Sequence, residues 1–383
     1  MSDALPITPA SRAAASDSLV RSAGITSFAV FLSRISGLVR EMLMARYFGA
    51  SMAYDAFTLG FRIPNLTRDL FAEGALSSAF VPIFTQQLKA EGLARAARVA
   101  NLVACTLTLV VGALCLAGVL LSPQFVDLLA PGFRQVEGKH DLAVRLTRIM
   151  FPFLLLVALA AQAMGVLNAL NQFAVPALSS TFFNIGSVSI GFLLGFALGP
   201  SLGLTPIEGM AWGVVCGGAL QLCVQLPSLA RSGFRFEPAL DFSDPAVRQI
   251  LTLMGPAILG NAAVQINVMV NTNFASAIVD PLRGHDGPVS WLTYAFRFMQ
   301  LPLGLFGVAI ASATLPAISR SAASGAFDEF RQTLSRSVGL VFLLTIPSSV
   351  GLVLLGPAMI GAIYEGGQFD AYDTQQAGVA LSY

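Results

Sequence analysis

Charged side chains are scarce in this chain. Only 11% of its 383 residues are charged, whereas 55% are hydrophobic and the mean hydropathy is +0.73. An ordinary soluble domain carries about 25% charged residues, so the composition excludes that class and predicts a membrane protein with several spans. The net charge is only +1, and we therefore expect no nucleic-acid partner.

Catalytic and metal-binding patterns are also missing. The chain contains no GxSxG, P-loop or HExxH motif, and its two histidines lie far apart in predicted loops. Four cysteines form two pairs, 10 and 7 residues apart. On a helix these spacings span about 15 Å and 10 Å, too far for a disulfide, so we predict packed free thiols. We predict that the protein is not an enzyme and holds no metal or cofactor.

The start of the chain lacks the pattern of a cleavable signal peptide. Such a peptide has an apolar core of about 7–15 residues after a basic start, and residues 1–20 contain none. We interpret residues 1–20 as a cytoplasmic N-terminal segment and expect the first membrane helix to direct insertion.

Long apolar segments dominate the rest of the chain. A helix needs about 20 mainly apolar residues to cross the hydrocarbon core of a bilayer. A tenth such segment begins near residue 373, and the prolines inside several of them predict kinked helices. The nine complete segments are 25–47, 55–85, 97–121, 144–170, 176–199, 207–230, 249–279, 290–316 and 333–356.

Basic residues in the loops indicate the orientation. With a cytoplasmic N-terminus, eleven basic residues fall on the cytoplasmic side, six on the outer side and five within spans. Loops on the cytoplasmic side carry the excess of lysine and arginine in membrane proteins. The distribution therefore predicts that the N-terminus is cytoplasmic.

An internal repeat divides the chain. Residues 118–133 resemble residues 351–369, and Pro82 and Pro123 each recur 234 residues later, at Pro316 and Pro357. A repeat this long predicts two six-helix lobes in parallel orientation around a central cavity, as in transporters. We predict a first lobe at 21–230, a cytoplasmic linker at 231–248 and a partial second lobe at 249–383. On this repeat the second lobe is truncated, and we expect the sequence to be C-terminally incomplete.

Several charged residues nevertheless lie inside predicted spans, where they normally face a polar cavity or a partner. Arg34 and Glu41 are seven residues apart, about two helical turns, so they share one face, and Arg40 lies beside Glu41. A long basic side chain near the end of a span can instead extend to the interface. That alternative fits Arg46 and Arg62 better than the central Arg34.

Three more charged residues complete the set of candidates. Asp55 is a cavity candidate, although it could instead pair structurally with Arg62. Arg68 follows the Pro64 interruption, where charge could also serve exposed backbone. Arg297 has no acid nearby in sequence and would pair with an anionic ligand, a helix carbonyl end or Glu41.

Arginine predominates among these candidates. Guanidinium groups bind phosphate oxygens in pairs, so four arginines in one cavity favour a phosphate or pyrophosphate ligand. Two explanations fit the polar run at 265–273 equally well: a place in the polar cavity, or hydrogen bonds between helices. The four arginines are Arg34, Arg40, Arg68 and Arg297.

Three stretches carry a family resemblance. They are SRISGLVREML (33–43), DAFTLGFRIPNLTRDLFAEGALSSAFVPIF (55–84) and YAFRFMQLPLGLFGVAIASATLP (294–316). Together they resemble the MviN/MurJ family of lipid II flippases, from about residue 20 to the end of the chain. This family belongs to the multidrug/oligosaccharidyl-lipid/polysaccharide exporter superfamily.

The resemblance implies a function in cell-wall synthesis at the bacterial cytoplasmic membrane. It implies that lipid II, a disaccharide-pentapeptide on undecaprenyl pyrophosphate, is moved from the inner to the outer leaflet by alternating access. It also implies contacts with the lipid bilayer and with cell-wall synthesis proteins. The substrate-binding residues that it implies are Arg34, Arg40, Glu41, Asp55, Arg68 and Arg297.

Two other functions remain open at this point. A cation-coupled exporter of drugs or other lipid-linked oligosaccharides would need a cavity dominated by acids, which the five arginines in spans disfavour. A membrane scaffold that transports nothing would not need buried charge. Arginine-dependent binding of lipid II distinguishes the three.

Overall fold

The computed structural model describes residues 9–68 and 76–382, which form helices and no strand. This confirms the predicted all-α class. Short 3₁₀ and π-helical segments occur at Pro131–Gln135, Leu193–Ala197 and Leu303–Val308. The α-helices, in chain order, are α1 Pro9–Phe48, α2 Met52–Arg68, α3 Ser77–Leu120, α4 Ser122–Leu129, α5 Lys139–Met150, α6 Phe153–Ala169, α7 Ala174–Phe192, α8 Gly199–Leu202, α9 Pro206–Cys223, α10 Leu226–Arg231, α11 Pro245–Ala277, α12 Pro288–Pro302, α13 Ala309–Ala323, α14 Phe327–Tyr364 and α15 Ala371–Ser382.

Five stretches of helix in the described residues are long and apolar enough to cross a membrane. A sixth is α11, whose parts Pro245–Gly260 and Ala262–Ala277 meet at 43°. α2 and α12 are shorter, at 17 and 15 residues, so their crossings stay predictions. The five stretches are Ser78–Leu120, Lys139–Ala169, Ala174–Ala197, Pro206–Arg231 and Phe327–Tyr364.

The predicted boundary between the second and third spans coincides with a kink in α3. We expected helices at 55–85 and 97–121 with a connection between them, and two helical arms of α3 meet at Gly92, inside the expected connection. Helix is interrupted there at one residue, Gly92, whose φ of 81° and ψ of −174° lie outside the helical region. Its neighbours favour helix, and only glycine adopts such a positive φ without strain. Residues 69–75, within the predicted second span, lie outside the described residues.

Pro152 divides the helix predicted at 144–170. α5 ends at Met150 and α6 begins at Phe153, with a turn at residues 151 and 152. Proline has no N–H for the helical hydrogen bond and crowds the preceding turn. The span predicted at 144–170 therefore contains two helical segments, which run on as one stretch of helix, Lys139–Ala169.

The four cysteines are free, in agreement with the prediction. Cys115 is buried and its thiol donates to the carbonyl of Phe151. Cys223, in contrast, is exposed, so packing was predicted correctly for Cys115 but not for Cys223.

Two compact units make up the chain. The first comprises the described residues of Met1–Glu41 and Leu59–Phe274, and the second those of Met42–Thr58 and Ala275–Tyr383. The predicted lobe boundaries at 230 and 248 stay predictions. α1 and α2 each contribute residues to both units, and these two helices carry most of the candidate site residues.

Glycines bring α7 and α9 together inside the first unit. A Cβ atom on Gly213 would lie 2.3 Å from the carbonyl oxygen of Ser187 and 2.6 Å from the Cα of Gly191. A Cβ on Gly209 would lie 2.2 Å from the backbone nitrogen of Gly195. The two backbones are therefore close enough that only hydrogen fits between them.

Candidate functional site

The six predicted site residues are divided between the two units. Arg34, Arg40, Glu41 and Arg68 belong to the first, and Asp55 and Arg297 to the second. Asp55 is fully buried and Arg34 is exposed, while the other four are half-buried. Arg34, Arg40 and Glu41 all lie on α1, as the helical spacing predicts.

Arg40 lies against two phenyl rings of the first unit. Its Cζ is 5.8 Å from the ring centroid of Phe61 on α2 and 5.3 Å from that of Phe183 on α7. Both distances are within the range of cation–π attraction. The guanidinium of a predicted binding residue is thus held between α1 and two other helices.

The turn of α1 before Arg40 is also tied to α7. The side-chain amide of Asn184 donates to the carbonyl oxygen of Ser33 at 3.2 Å and to Oγ of Ser36 at 3.1 Å. Asn184 is buried and directly follows Phe183. Sequence reasoning missed both residues, because a lone Phe-Asn pair in an apolar span gives no sign of its partner.

Asp55 caps the start of α12 within the second unit. Its Oδ2 accepts from the backbone N–H of Gly287 at 2.8 Å, and its Oδ1 accepts from the N–H of Ser290 at 2.9 Å and from the Ser290 hydroxyl. The first N–H groups of a helix have no partner within the helix and carry partial positive charge. The buried carboxylate therefore satisfies the N-terminus of the helix that carries Arg297.

Aromatic packing positions the middle of α12. Tyr294 is 1% exposed, and its ring centroid lies 5.4 Å from that of Tyr54, 4.8 Å from Tyr364 and 5.0 Å from Phe369. Tyr294 lies about one turn before Arg297 on the same helix. The side chain of Arg297 therefore starts from a fixed section of backbone.

A further charged network in the second unit was not foreseen. Arg283 pairs with Asp370 at 2.7 Å and with Asp373 at 2.9 Å, and the indole N–H of Trp291 donates to Asp373 at 2.8 Å. The Tyr372 hydroxyl donates to Asp280 at 2.7 Å. Its members come from the loop before α12, from α12 itself and from the start of α15, so no local sequence pattern predicts it.

The pKa of Asp280 in this network is lowered. Burial acts to raise it, but hydrogen bonds from the Tyr372 hydroxyl and from the N–H groups of Arg283 and Leu282 outweigh that effect, aided by the Arg283 charge. Asp280 therefore stays ionised, and its hydrogen bonds hold the loop at 280–283.

Polar side chains of the predicted run on α11 form hydrogen bonds. The Asn271 amide donates to Asn267 at 3.1 Å, and the Asn273 amide donates to the carbonyl of Leu128 on α4 at 2.7 Å. For Asn273 this confirms the interpretation as a bond between helices. Across the described ranges, no three His, Cys, Asp or Glu side chains are grouped so as to hold a metal ion.

Comparisons of sequence point to one family. A family model described as "Lipid II flippase MurJ" matches residues 44–383. A protein of Vibrio cholerae serotype O1 named "Probable lipid II flippase MurJ" is 35% identical over 370 residues, covering 95% of this chain and 68% of that protein. The chain thus spans about two thirds of the length of this relative.

Solved structures give the same relationship. A structure of "Lipid II flippase MurJ, inward closed conformation" superposes with a TM-score of 0.75 at 29% identity, covering 93% of this chain and 71% of that one. An inward-facing multidrug resistance MATE family transporter of the MOP superfamily superposes with a TM-score of 0.61 at 14% identity, covering 93% and 76%. The second similarity shows the fold alone.

Proposed function

Because the chain belongs to the MurJ family of lipid II flippases, we propose that it moves lipid II from the inner to the outer leaflet by alternating access. The observation that carries this proposal is the 35% identity over 95% of the chain. The protein is a multi-pass protein of the bacterial inner membrane. We place its N-terminus in the cytoplasm, on the basis of the distribution of basic residues.

The arginines bind the pyrophosphate head group in this proposal. Arg34, Arg40, Arg68 and Arg297 supply donors for phosphate oxygens, and the lipid tail stays in or near the bilayer. Support comes from the partial burial of three of them, because an arginine near membrane depth needs a polar cavity or a partner. Glu41, on the same helix as Arg40, keeps the role of an acidic cavity residue.

Asp55 acts on the substrate through α12. Both of its oxygens accept hydrogen bonds from the first turn of that helix, so it holds the helix that carries Arg297. We therefore assign it as a positioning residue for Arg297.

We infer that the protein is a transporter and not an enzyme. The proposed movement breaks no bond in lipid II, and the side chains assigned to it bind charge. A drug exporter of the same superfamily shares the fold, but family membership rests on the sequence, and arginine predominates among the candidate site residues. Cell-wall synthesis proteins remain proposed partners.

Substitution of two arginines tests the function. Arg34→Ala and Arg297→Ala should each lower lipid II translocation about 10- to 100-fold, since a hydrogen bond to a charged group contributes about 1.5–3 kcal/mol. Arg→Lys at either position should restore part of the activity, because charge remains but the paired donors are lost. Translocation is measured in intact cells, beside immunoblots of protein abundance.

Arg98→Ala serves as the matched control, because Arg98 is exposed on α3. It should leave translocation unchanged. Normal translocation by well-expressed Arg34→Ala and Arg297→Ala proteins would remove the arginine-site proposal.

A further inference from the structure

Three phenyl rings from three helices meet beside Arg40. The ring of Phe153 on α6 lies 5.7 Å from Phe61 and 5.3 Å from Phe183, the two rings that the guanidinium contacts. Phe153 is 0% exposed, so it supports both rings from the interior of the first unit. The surroundings of Arg40 are therefore a packed aromatic wall.

Room for this wall comes from a glycine on α9. A Cβ atom at Gly218 would lie 2.7 Å from Cδ2 of Phe153, closer than side chains approach each other. Packed interiors transmit such displacements, because few voids are available to absorb them. The position of the wall thus depends on α2, α6, α7 and α9 together.

The Cζ of Arg40 lies over both rings. Arginine binds phosphate oxygens through the N–H donors in the plane of its guanidinium. A free arginine side chain samples many rotamers and loses them on binding, whereas one held in place beforehand loses fewer. An aromatic wall can therefore raise the affinity for an anion without touching it.

We propose that Phe61 and Phe183 are positioning residues for Arg40, and that they hold its guanidinium ready for the pyrophosphate of the substrate. Phe153 and Gly218 support the two rings. This inference rests on the proposed function, but it makes a separate claim about the order of one side chain. If the rings are only core packing, any side chain of similar volume serves equally well.

Substitution of one ring separates the two explanations. Phe183→Leu keeps an apolar side chain but removes the π face, whereas Phe183→Tyr keeps the face. Purified protein in nanodiscs should bind lipid II about tenfold more weakly after Phe183→Leu, equivalent to about 1.4 kcal/mol. It should bind within about twofold of wild type after Phe183→Tyr, because tyrosine also attracts cations.

Two controls show whether the effect passes through Arg40. In an Arg40→Ala background, Phe183→Leu should cause no further loss of affinity, since the guanidinium that it positions is gone. Phe182→Leu changes the neighbouring phenylalanine, which is 36% exposed, and should leave binding unchanged. Equal losses in the wild-type and Arg40→Ala backgrounds would overturn the proposal.

A measurement without substrate keeps the inference separate from the proposed function. The Arg40 Nε–H resonance of ¹⁵N-arginine-labelled protein should be shifted by the ring currents and rigid in wild type and in Phe183→Tyr. In Phe183→Leu it should move towards the position of an exposed arginine and become mobile. A wild-type protein that binds no lipid II but shows this pattern refutes the function and retains the positioning role; an Arg40 resonance unchanged by Phe183→Leu refutes the positioning role.

Discussion

Arg95 joins three parts of the first unit through a single guanidinium. It donates to both carboxylate oxygens of Asp244 at 2.8 and 3.0 Å, to Gln87 at 3.2 Å, and lies 3.7 Å from Glu91. Asp244 in turn accepts from the N–H of Ala246 at 2.9 Å, at the start of α11. One arginine therefore supports both the interruption of α3 at Gly92 and the cap of α11.

These contacts lower the pKa of Asp244. The hydrogen bond from Arg95 is the main cause, burial acts in the opposite direction, and the Ala246 N–H adds to the lowering. A carboxyl with a depressed folded pKa adds stability above its unfolded pKa, about 3.9, and loses it as the pH falls through the folded value.

Asp244→Asn should lower the thermal midpoint of unfolding in detergent at pH 7, because the ion pair is lost while asparagine still caps α11. Asp244→Ala should lower the midpoint further, because it also removes the cap of α11, which contributes about 1 kcal/mol of stability. The difference between wild type and Asp244→Asn should shrink as the pH falls below about 4, the unfolded pKa of aspartate. Glu237→Gln, at an exposed linker position, is the control, and a difference that does not change with pH would contradict the assignment.

Individual site residues differ in how far sequence could predict them. The arginines could be proposed because charge in an apolar span is costly wherever its partner lies. The contacts that fix a site residue could not be predicted in this way. Asp55 and Ser290, for example, are 235 positions apart, and no local sequence pattern relates them. The same holds for Phe183, one of 28 phenylalanines, most of which only add apolar surface.

At the scale of elements, the contact between α7 and α9 depends on glycine. Their backbones approach so closely at Gly191, Gly209 and Gly213 that a Cβ would meet backbone atoms or the Met210 side chain. Small residues allow this approach between membrane helices, where van der Waals packing replaces the hydrophobic effect. Backbone cannot move aside as a flexible side chain can.

Gly213→Ala should therefore destabilise the protein by about 1–3 kcal/mol, the usual cost of overpacking a core. Gly112→Ala on α3 is the matched control, since a Cβ there would meet nothing within 4 Å. Alanine favours helix over glycine by about 1 kcal/mol, so the control should be neutral or stabilising. Thermal midpoints in detergent measure both, and equal midpoints for the two variants would show that the helices can separate at little cost.

Helices were easier to predict than their interruptions. Hydropathy over about 20 residues identifies a span because the bilayer sets its length. The π-helical segments at Leu193–Ala197 and Leu303–Val308 could not be predicted in this way, because one additional residue in a turn leaves composition unchanged. Gly92 interrupts α3 through one backbone angle, which a composition window also cannot detect.

At the scale of the molecule, the number of spans and their direction follow from different signals. Membrane character follows from composition, and family membership agrees with it. The predicted orientation rests on the count of basic residues, eleven on the cytoplasmic side and six on the outer side. Packing within the chain does not change this count. The 234-residue repeat and the lobes inferred from it stay predictions.

Cysteine labelling tests the orientation. In a background without native cysteines, Glu137→Cys and His285→Cys should react with a membrane-impermeant maleimide in intact cells, and Asp241→Cys should react only after lysis. Residues 137 and 285 lie in predicted outer loops, and residue 241 lies in the predicted cytoplasmic linker. Labelling of Asp241→Cys in intact cells would reverse the orientation while leaving the fold unchanged.

The interruption at Gly92 bears on how the chain is made. An unbroken helix of 44 residues would be about 66 Å long, roughly twice the 30 Å hydrocarbon core of a bilayer. The kink at Gly92 instead divides α3 into arms of 15 and 28 residues, about 23 and 42 Å of helix. Lys89, Arg95 and Arg98 flank the kink, and in the predicted orientation all three stay on the cytoplasmic side. On that prediction, insertion of the two arms carries none of these three cations across the membrane.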